Sequence, residues 1–203
     1  MRVYVETNFV LELALQQDQH SACEELLQLA EASSQVRLAI PALSLAEPFA
    51  TLRRRSGEQR DVRIKLEREL RELKRTRSFA DEQSWATVIG TLIRSSQDAA
   101  QRLDAIGNRL LRVADVLPLT KHELADAPGH INSFRFKDRP DALIFASVLS
   151  DPELGKQPSC FLNKNTRDFD DPSIDELLNA HGCKLIGRFD KGLAYVQHSL
   201  ASS

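Results

Sequence analysis

The sequence predicts an α/β fold with a mainly parallel central sheet. Short apolar runs alternate along the chain with longer segments in which apolar residues recur at helical spacing. This alternation is typical of βαβ units, whose crossover connections make neighbouring strands parallel and are almost always right-handed. The predicted strands span residues 3–5, 36–40, 116–119, 159–162 and 183–186.

The first half of the chain contains the clearest helical patterns. A helix-like pattern follows the first strand, from Phe9 to Leu15. Ser21 can cap a second helix, with Glu24 three residues later as its capping-box partner. After the second strand, which ends at Pro41, residues 44–55 are again helical.

Residues 57 to about 114 show no strand pattern. Val62, Leu66, Leu70 and Leu73 recur at helical spacing with charges between them. Two further helices are predicted, at about 81–95 and 97–113. We therefore expect one domain, residues 1–203, that carries a helical insertion at about 57–114.

The second half of the chain returns to the alternating pattern. A short helix is predicted at 121–125 and a loop at 128–137. Pro140 suits the first turn of a helix that continues through the apolar run 142–149. Pro172 likewise precedes a helix at 174–180, and Gly182 fits the stop of that helix.

Composition excludes several classes of protein. Hydrophobic residues make up 42% and charged residues 28% of the chain, as in ordinary globular proteins. The three cysteines are far apart and show no CxxC spacing, which argues against disulfide scaffolds and zinc ribbons. The N-terminus lacks the pattern of a signal peptide, and no apolar stretch approaches the roughly 20 residues that span a bilayer. We expect a cytoplasmic protein without a membrane association.

Acidic and amide side chains fall where the predicted strands end. Ligands of open α/β sheets bind beyond the carboxyl ends of the strands, so polar side chains there are candidates for a site. Glu6 follows the first strand, and Glu47 lies on the helix after the second strand. Asp138 and Asp141 lie at the start of the helix that begins near Pro140, and Asn165 and Asp168 follow the fourth strand.

Each candidate also has an ordinary structural explanation. Acidic residues favour helix N-termini, and Asp and Asn are common in turns. Glu47 differs, since it lies in the apolar context ALSLAEPFATL, where a lone charge is costly unless it is paired or bound to a metal. As a set, crowded carboxylates repel one another unless a cation offsets them, and hard cations such as Mg²⁺ and Mn²⁺ prefer oxygen ligands.

Four segments of the chain resemble the PIN-domain family. VYVETNFVLEL resembles the family's opening strand and its acidic-Thr-Asn turn, and SLAEPFATL its second segment with a Glu on a helix. KDRPDALIFASVL resembles the third segment, and CFLNKNTRDF the fourth. The order agrees with that of the family, and the resemblance covers about residues 1–55 and 116–187. It implies a three-layer α/β/α fold with an acidic cleft.

The resemblance also implies roles for the candidate residues. By matching position, Glu6, Glu47 and Asp141 would bind Mg²⁺ or Mn²⁺, while Asp138, Asn165 and Asp168 would complete or support the site. Thr7 or Asn8 would orient the first carboxylate or the attacking water. The family usually has Asp where this chain has Glu6, and often Asp where it has Asn165, so Asp168 is expected to take a larger share in metal binding.

Family members usually cleave single-stranded or structured RNA with Mg²⁺ or Mn²⁺, many bacterial ones are toxins of toxin–antitoxin pairs, and the family often dimerises. The sequence therefore predicts a metal-dependent endoribonuclease, with RNA as substrate, an antitoxin-like protein as possible partner, and a possible homodimer. The alternative is a non-catalytic PIN-like RNA-binding or scaffold protein. A second alternative, a Mg²⁺ phosphatase, is disfavoured because no Asp-x-Asp-x-Thr/Val pattern follows the first strand.

The charge of the chain is distributed unevenly. Residues 53–77 hold eleven Lys/Arg and five Asp/Glu, or +6, which leaves −8 on the remainder of a chain whose net charge is −2. This run could guide an RNA backbone towards the acidic cleft, because phosphates dominate nonspecific affinity. It could equally be a solvated helix with ion pairs. The expected nucleic-acid contacts are Arg53, Arg54, Arg55, Arg135, Lys137 and Arg139.

Overall fold

The computed structural model describes residues 1–76, 84–165, 169 and 171–202, with the backbone alone for 84–86. The elements of these residues are, in chain order, β1 (Arg2–Val5), α1 (Thr7–Leu15), α2 (His20–Ala32), β2 (Arg37–Pro41), α3 (Ala42–Leu73), α4 (Ser84–Val113), β3 (Asp115–Leu117), α5 (Lys121–Phe134), α6 (Arg139–Leu149), β4 (Ser159–Leu162), α7 (Pro172–Ala180), β5 (Cys183–Ile186) and α8 (Phe189–Ala201). The predicted α/β class is confirmed.

The five strands form one parallel sheet in the order β3-β2-β1-β4-β5. The chain moves outward from β1 through β2 to β3, and then crosses to the other side of β1 to form β4 and β5. The boundary between β1 and β4 is therefore the switch point at which crevices open beyond the carboxyl ends of such sheets. In the β1–β4 pair, Val5 aligns with Leu162.

Both faces of the sheet are buried under helices. Val3 and Val5 of β1 point into one apolar cluster. Residues of α1, α2 and α8 belong to the same cluster, together with residues from the second half of α4. Tyr4 points into the other cluster, with α5, α6 and α7. The alternation explains why the strands are short apolar runs: in a doubly covered parallel sheet, successive residues are buried on opposite faces.

The two longest helices are more continuous than the sequence analysis predicted. α3 runs through Gly57 as one helix, since a single internal glycine costs only about 1 kcal/mol and exposed pairs such as Arg54–Glu58 offset part of that cost. The predicted break at residues 95–97 is also wrong, because α4 is one helix. Ser96 of α4 meets Ser56 of α3 with an Oγ–Oγ distance of 2.8 Å.

Two further predictions about helices were wrong. The predicted loop at 128–137 is largely helical, because α5 continues to Phe134, whose ring packs 5.3 Å from that of Phe145. Tertiary packing of aromatic rings here overrides the weak helix propensity of the segment. Ser21 lies inside α2, whose N-cap is Gln19, and α8 was not predicted at all.

None of the described helices is long and apolar enough to cross a membrane.

The expectation of one domain with an insertion at about 57–114 stays a prediction. α3 begins at Ala42, upstream of that range, so the same helix carries Glu47 near its start and the basic run farther along.

A buried ionic network lies at the amino ends of the strands. Arg2 is 2% exposed, and its Nε donates to Asp151 at 2.6 Å while its Nη1 donates to Asp115 at 2.6 Å. The Tyr4 hydroxyl also donates to Asp151, at 2.8 Å. Through this network Arg2 links β1 to the start of β3 and to the residues after α6, and each buried charge has an opposite charge beside it.

Replacing Asp151 with Asn should lower the free energy of unfolding by about 3 kcal/mol, because it leaves the buried Arg2 charge without its buried partner. Urea denaturation with an unchanged m-value measures this loss. Arg37→Ala is the matched control, since Arg37 pairs with Asp115 at the surface and such pairs contribute under about 1 kcal/mol. Equal losses for the two variants would contradict the assigned role of Asp151.

Candidate functional site

The candidate site begins where β1 and β4 end side by side. Glu6 directly follows β1, and Asn163 directly follows β4. Because Val5 and Leu162 are paired in the sheet, the two residues that follow them emerge next to each other. The backbone N–H of Lys164 donates to Glu6 Oε1 at 3.4 Å, which ties the segment after β4 to the end of β1.

Glu6 is a buried carboxylate, 4% exposed, at the N-cap of α1. Its Oε2 accepts from the backbone N–H of Asn8 at 2.8 Å and from Asn8 Nδ2 at 3.2 Å. Burial raises the pKa of Glu6 to about 7, against the lowering effect of these hydrogen bonds, and the nearby charge of Asp141 raises the pKa further. The carboxylate is thus held at the helix N-terminus at an electrostatic cost.

Glu47 reaches the site from the second turn of α3. Thr7, the first residue of α1, donates a short hydrogen bond from its hydroxyl to Glu47 Oε2. Burial raises the pKa of Glu47, the Thr7 hydrogen bond lowers it, and the charge of Asp138 raises it. Glu47 is therefore oriented by a neutral hydroxyl and lies near a second carboxylate.

Asp138 and Asp141 lie at the start of α6. Asp138 is the exposed N-cap residue and makes no capping hydrogen bond with its side chain, while Asp141 lies in the first turn. Asn165 Nδ2 donates to Asp141 Oδ2 at 3.2 Å. The helix N-terminus favours negative charge here, which lets acidic residues collect despite their mutual repulsion.

The segment after β4 contains residues that the sequence analysis did not single out. Asn163 is 2% exposed, and its Oδ1 accepts from the backbone N–H of Asn165 at 2.7 Å. The Lys164 side chain pairs with Glu12 of α1, which is 1% exposed and also accepts from the backbone N–H of Gln19 at 2.9 Å. Because Asn163 directly follows a predicted strand, the sequence could have indicated it as a site residue. The pairing of Glu12 with Lys164 could not be read from the sequence, because the two residues are far apart in the chain.

The structure thus brings together five of the six candidate side chains. Glu6 interacts with Asp141, Asp141 with Asn165, and Glu47 with Asp138. Thr7 bridges the first and second segments, as it donates to Glu47 from the position next to Glu6. Asp168, the remaining candidate, lies outside the described residues.

The six basic candidates are dispersed. Arg135, Lys137 and Arg139 are exposed on the segment that flanks Asp138. Arg53, Arg54 and Arg55 are exposed on α3, and Arg54 pairs with Glu58. Contact of these six residues with nucleic acid stays a prediction.

The buried acids Asp151 and Glu12 differ in their partners from the buried Glu6 and the half-buried Glu47. Asp151 and Glu12 accept from the charged side chains of Arg2 and Lys164. By contrast, in the described part of the chain Glu6 and Glu47 accept hydrogen bonds only from amide N–H groups and a hydroxyl. Among the described residues, the charges of Glu6 and Glu47 are therefore hydrogen-bonded but have no ion-pair partner.

The chemistry of these donors fits a hard divalent cation. Glu6 with Asp141, and Glu47 with Asp138, form two carboxylate pairs in which one charge raises the pKa of the other acid. Mg²⁺ keeps several waters and binds through one or two carboxylates together with substrate phosphates. The described residues contain no group of three His, Cys, Asp or Glu side chains that could hold a metal ion. The fit therefore rests on paired carboxylates rather than on a closed cage.

A buried hydroxyl lies on the same helix as Glu47. Ser44 lies one turn before Glu47 on α3, is fully buried, and its Oγ has no hydrogen-bond partner among the described residues. Buried polar atoms of this kind are usually satisfied by an ordered water or an ion.

The fold and the site define an α/β protein with paired carboxylates at the switch point of a parallel sheet. A family model described as PIN domain matches residues 3–169, a range that begins within β1 and ends beyond β4. The chain belongs to the PIN-domain family, as its four motifs predicted. Comparison with curated proteins gave no match, and comparison with solved structures gave none either.

The pKa of Glu6 predicts how the stability of the metal-free protein depends on pH. Because the folded pKa is about 7 and an unfolded Glu titrates near 4.5, the folded state binds the proton more tightly. The stabilising effect is complete below about pH 4.5 and is lost as pH rises through 7. Urea denaturation in EDTA should show a decline of up to about 3 kcal/mol across this range, which Glu6→Gln removes.

Glu123→Gln is the control for this experiment. Despite its burial, hydrogen bonds from Thr120 lower the pKa of Glu123 to about 2, so its contribution is present above pH 4.5 and is lost only as pH falls towards 2. This variant should keep the decline between pH 4.5 and 7. A decline that persists in Glu6→Gln would show that another group causes it.

Proposed function

We propose that this protein is a metal-dependent endoribonuclease that hydrolyses RNA phosphodiester bonds with a metal-activated water. Glu6, Glu47 and Asp141 are the proposed Mg²⁺ or Mn²⁺ ligands, and Asp168 is a further candidate ligand. Asp138 and Asn165 support them. Membership of the PIN-domain family favours a nuclease, and the proposal adds the metal, the substrate and the residues.

The observation that carries the proposal is the buried Glu6 carboxylate beside Asp141, with no described cationic side chain to neutralise it. The structural acids differ from Glu6: Asp151 has Arg2 beside it, and hydrogen bonds from Thr120 lower the pKa of the buried Glu123, whereas the pKa of Glu6 is raised. Acids whose pKa is raised by burial and by a neighbouring acid are a common feature of functional sites. A divalent cation bound there would offset the repulsion, activate a water and stabilise charge on the phosphate.

The residues of the chain have separate parts in this proposal. Thr7 holds the orientation of Glu47, and the amide groups of Asn8 hold Glu6. Asn165 orients Asp141 through its side-chain amide. Arg135 and Lys137, exposed beside α6, would contact substrate phosphates close to the acids.

The narrower proposal is a toxin-type nuclease of the cytoplasm with an antitoxin-like protein as its partner, with or without a homodimer. The motifs of the family support it, and a small gene next to this one that encodes a co-purifying inhibitor would test it.

The alternative is a non-catalytic PIN-like protein that binds RNA. Asn165 favours it, because a neutral amide meets Asp141 where the family often has a further acid. RNA binding without cleavage under any divalent metal would select this alternative.

The cleavage test uses purified protein, a mixed RNA pool, and Mn²⁺ or Mg²⁺ with EDTA as the reference. Wild type should cleave only with metal, and Asp141→Asn should lower the rate about 100-fold or more, since several kcal/mol of charge stabilisation is lost. Asp190→Asn is the matched control, an acid in the first turn of α8 that pairs with Arg188. Cleavage that persists in EDTA or in Asp141→Asn would contradict the proposed site.

Thr7→Val should weaken Mn²⁺ binding about 10- to 100-fold, as expected when a hydrogen bond that orients a ligand is removed without a change of size. Isothermal titration with MnCl₂ measures the affinity, and Thr7→Ser should restore it because the hydroxyl returns. Wild-type affinity in the valine variant would show that Glu47 needs no orientation by Thr7 or does not bind metal.

A further inference from the structure

A groove of about 670 Å³ lies between α3 and α4, on a part of the molecule that the proposed reaction does not use. Its floor is apolar, formed by Leu52 at 8% exposure and Leu103 at 1%. Its other main lining side chains are aromatic, basic and, in one case, acidic: Phe49, Arg53, Arg60 and Asp104.

The charge of the groove is positive. Within the described part of the chain, Arg53 and Arg60 form no ion pair, whereas the nearby Arg54 and Arg63 pair with Glu58 and Glu67. Arg53 and Arg60 thus line the groove without an ion-pair partner among the described residues, so their charge is available to a ligand. Asp104 is the one acid among the lining residues.

Phe49 provides an aromatic surface in the same groove. It is 49% exposed, although a large aromatic ring is usually covered in a monomer. Exposed aromatic rings next to arginines are the combination that binds single-stranded nucleic acids, because bases stack on the ring while the arginines contact phosphates. A duplex keeps its bases stacked within the helix and offers none to Phe49.

A path joins this groove to the acidic site. Successive residues of a helix are about 100° apart, so Glu47 and Phe49 lie on opposite flanks of α3. Between them, on the solvent side, are the exposed Ala46 and Ala50. About two turns beyond Ala50 is Gly57, where an added Cβ would meet no atom within 4 Å. These small residues leave room for an extended strand to cross α3.

We propose that the α3–α4 groove binds single-stranded RNA that flanks the cleaved bond, with a base on Phe49 and phosphates on Arg53 and Arg60. The strand reaches the acidic site by crossing α3 over Ala46 and Ala50. This inference rests on the proposed nuclease function and adds to it a second binding site for the substrate, outside the acidic cleft. An acidic peptide would also match the positive charge of the groove, but its binding would not require the path across α3 to Glu47.

The binding test uses a fluorescent single-stranded oligoribonucleotide of about 20 nucleotides, with EDTA present so that no cleavage occurs. The double variant Arg53→Ala with Arg60→Ala should bind at least about 10-fold more weakly, and its salt dependence should fall by about 1.4 in log–log slope. Phe49→Ala should also lose about 10-fold, through stacking. Phe49 is half exposed, so folding should not be affected.

The control is Arg68→Ala with Arg71→Ala, which removes the same charge from exposed positions farther along α3 and outside the groove. It should bind nearly as wild type does. Equal losses in the two double variants would show nonspecific attraction by the helix and would overturn the groove. A duplex that competes as well as the single strand would contradict the proposed binding of single-stranded RNA in the groove.

Cleavage kinetics separate this inference from the proposed function. With a long single strand, the groove variants should raise KM about 10-fold and keep kcat, while a trinucleotide that reaches only the acidic site should be cleaved as by wild type. Wild-type cleavage with unchanged KM in the groove variants would contradict RNA binding in the groove, and the proposed nuclease function would stand. Groove-dependent RNA binding without any cleavage would overturn the nuclease alone. Binding of polyglutamate, but not RNA, through Arg53 and Arg60 would assign the groove to an acidic partner.

Discussion

The parallel pairing of β1 with both β2 and β4 is the constraint on which the site depends. A strand covered on both faces has its charged groups at its ends, and β1 has Arg2 at one end and Glu6 just beyond the other. Because β4 lies beside β1 in the same direction, the segment after β4 must emerge next to Glu6. The first and fourth acidic segments meet for this reason, although almost 160 residues separate them.

The buried charges at the two ends of β1 have opposite kinds of surroundings. At the amino end, Arg2 is surrounded by Asp151, Asp115 and the Tyr4 hydroxyl, so that burial is offset by opposite charge and hydrogen bonds. At the carboxyl end, burial and a neighbouring acid raise the pKa of Glu6. One end therefore stabilises the fold, while the other retains an unfavourable arrangement of charge, which proteins keep mainly where function requires it.

The long helix α3 connects the site to the rest of the molecule. Near its start Glu47 faces Thr7, and from Phe49 onward its other flank lines the groove with α4. The sequence showed Glu47 and the basic run as separate features, because helical periodicity gives the face of a residue but not the neighbour of that face. Which arginines of the run line the groove became visible only when α3 and α4 were placed together.

The sequence by itself determined the class of fold, four of the five strands within a residue, and the candidate acids, since apolar periodicity and the residue types after each strand are local properties. It misjudged α4 and α5, where contacts such as Ser56 with Ser96 and Phe134 with Phe145 decide the length of the helix. Only the tertiary structure decided the strand order, and with it which acids face one another and which have a cation beside them. Electrostatic pairing depends on distance in space, which a single sequence does not contain.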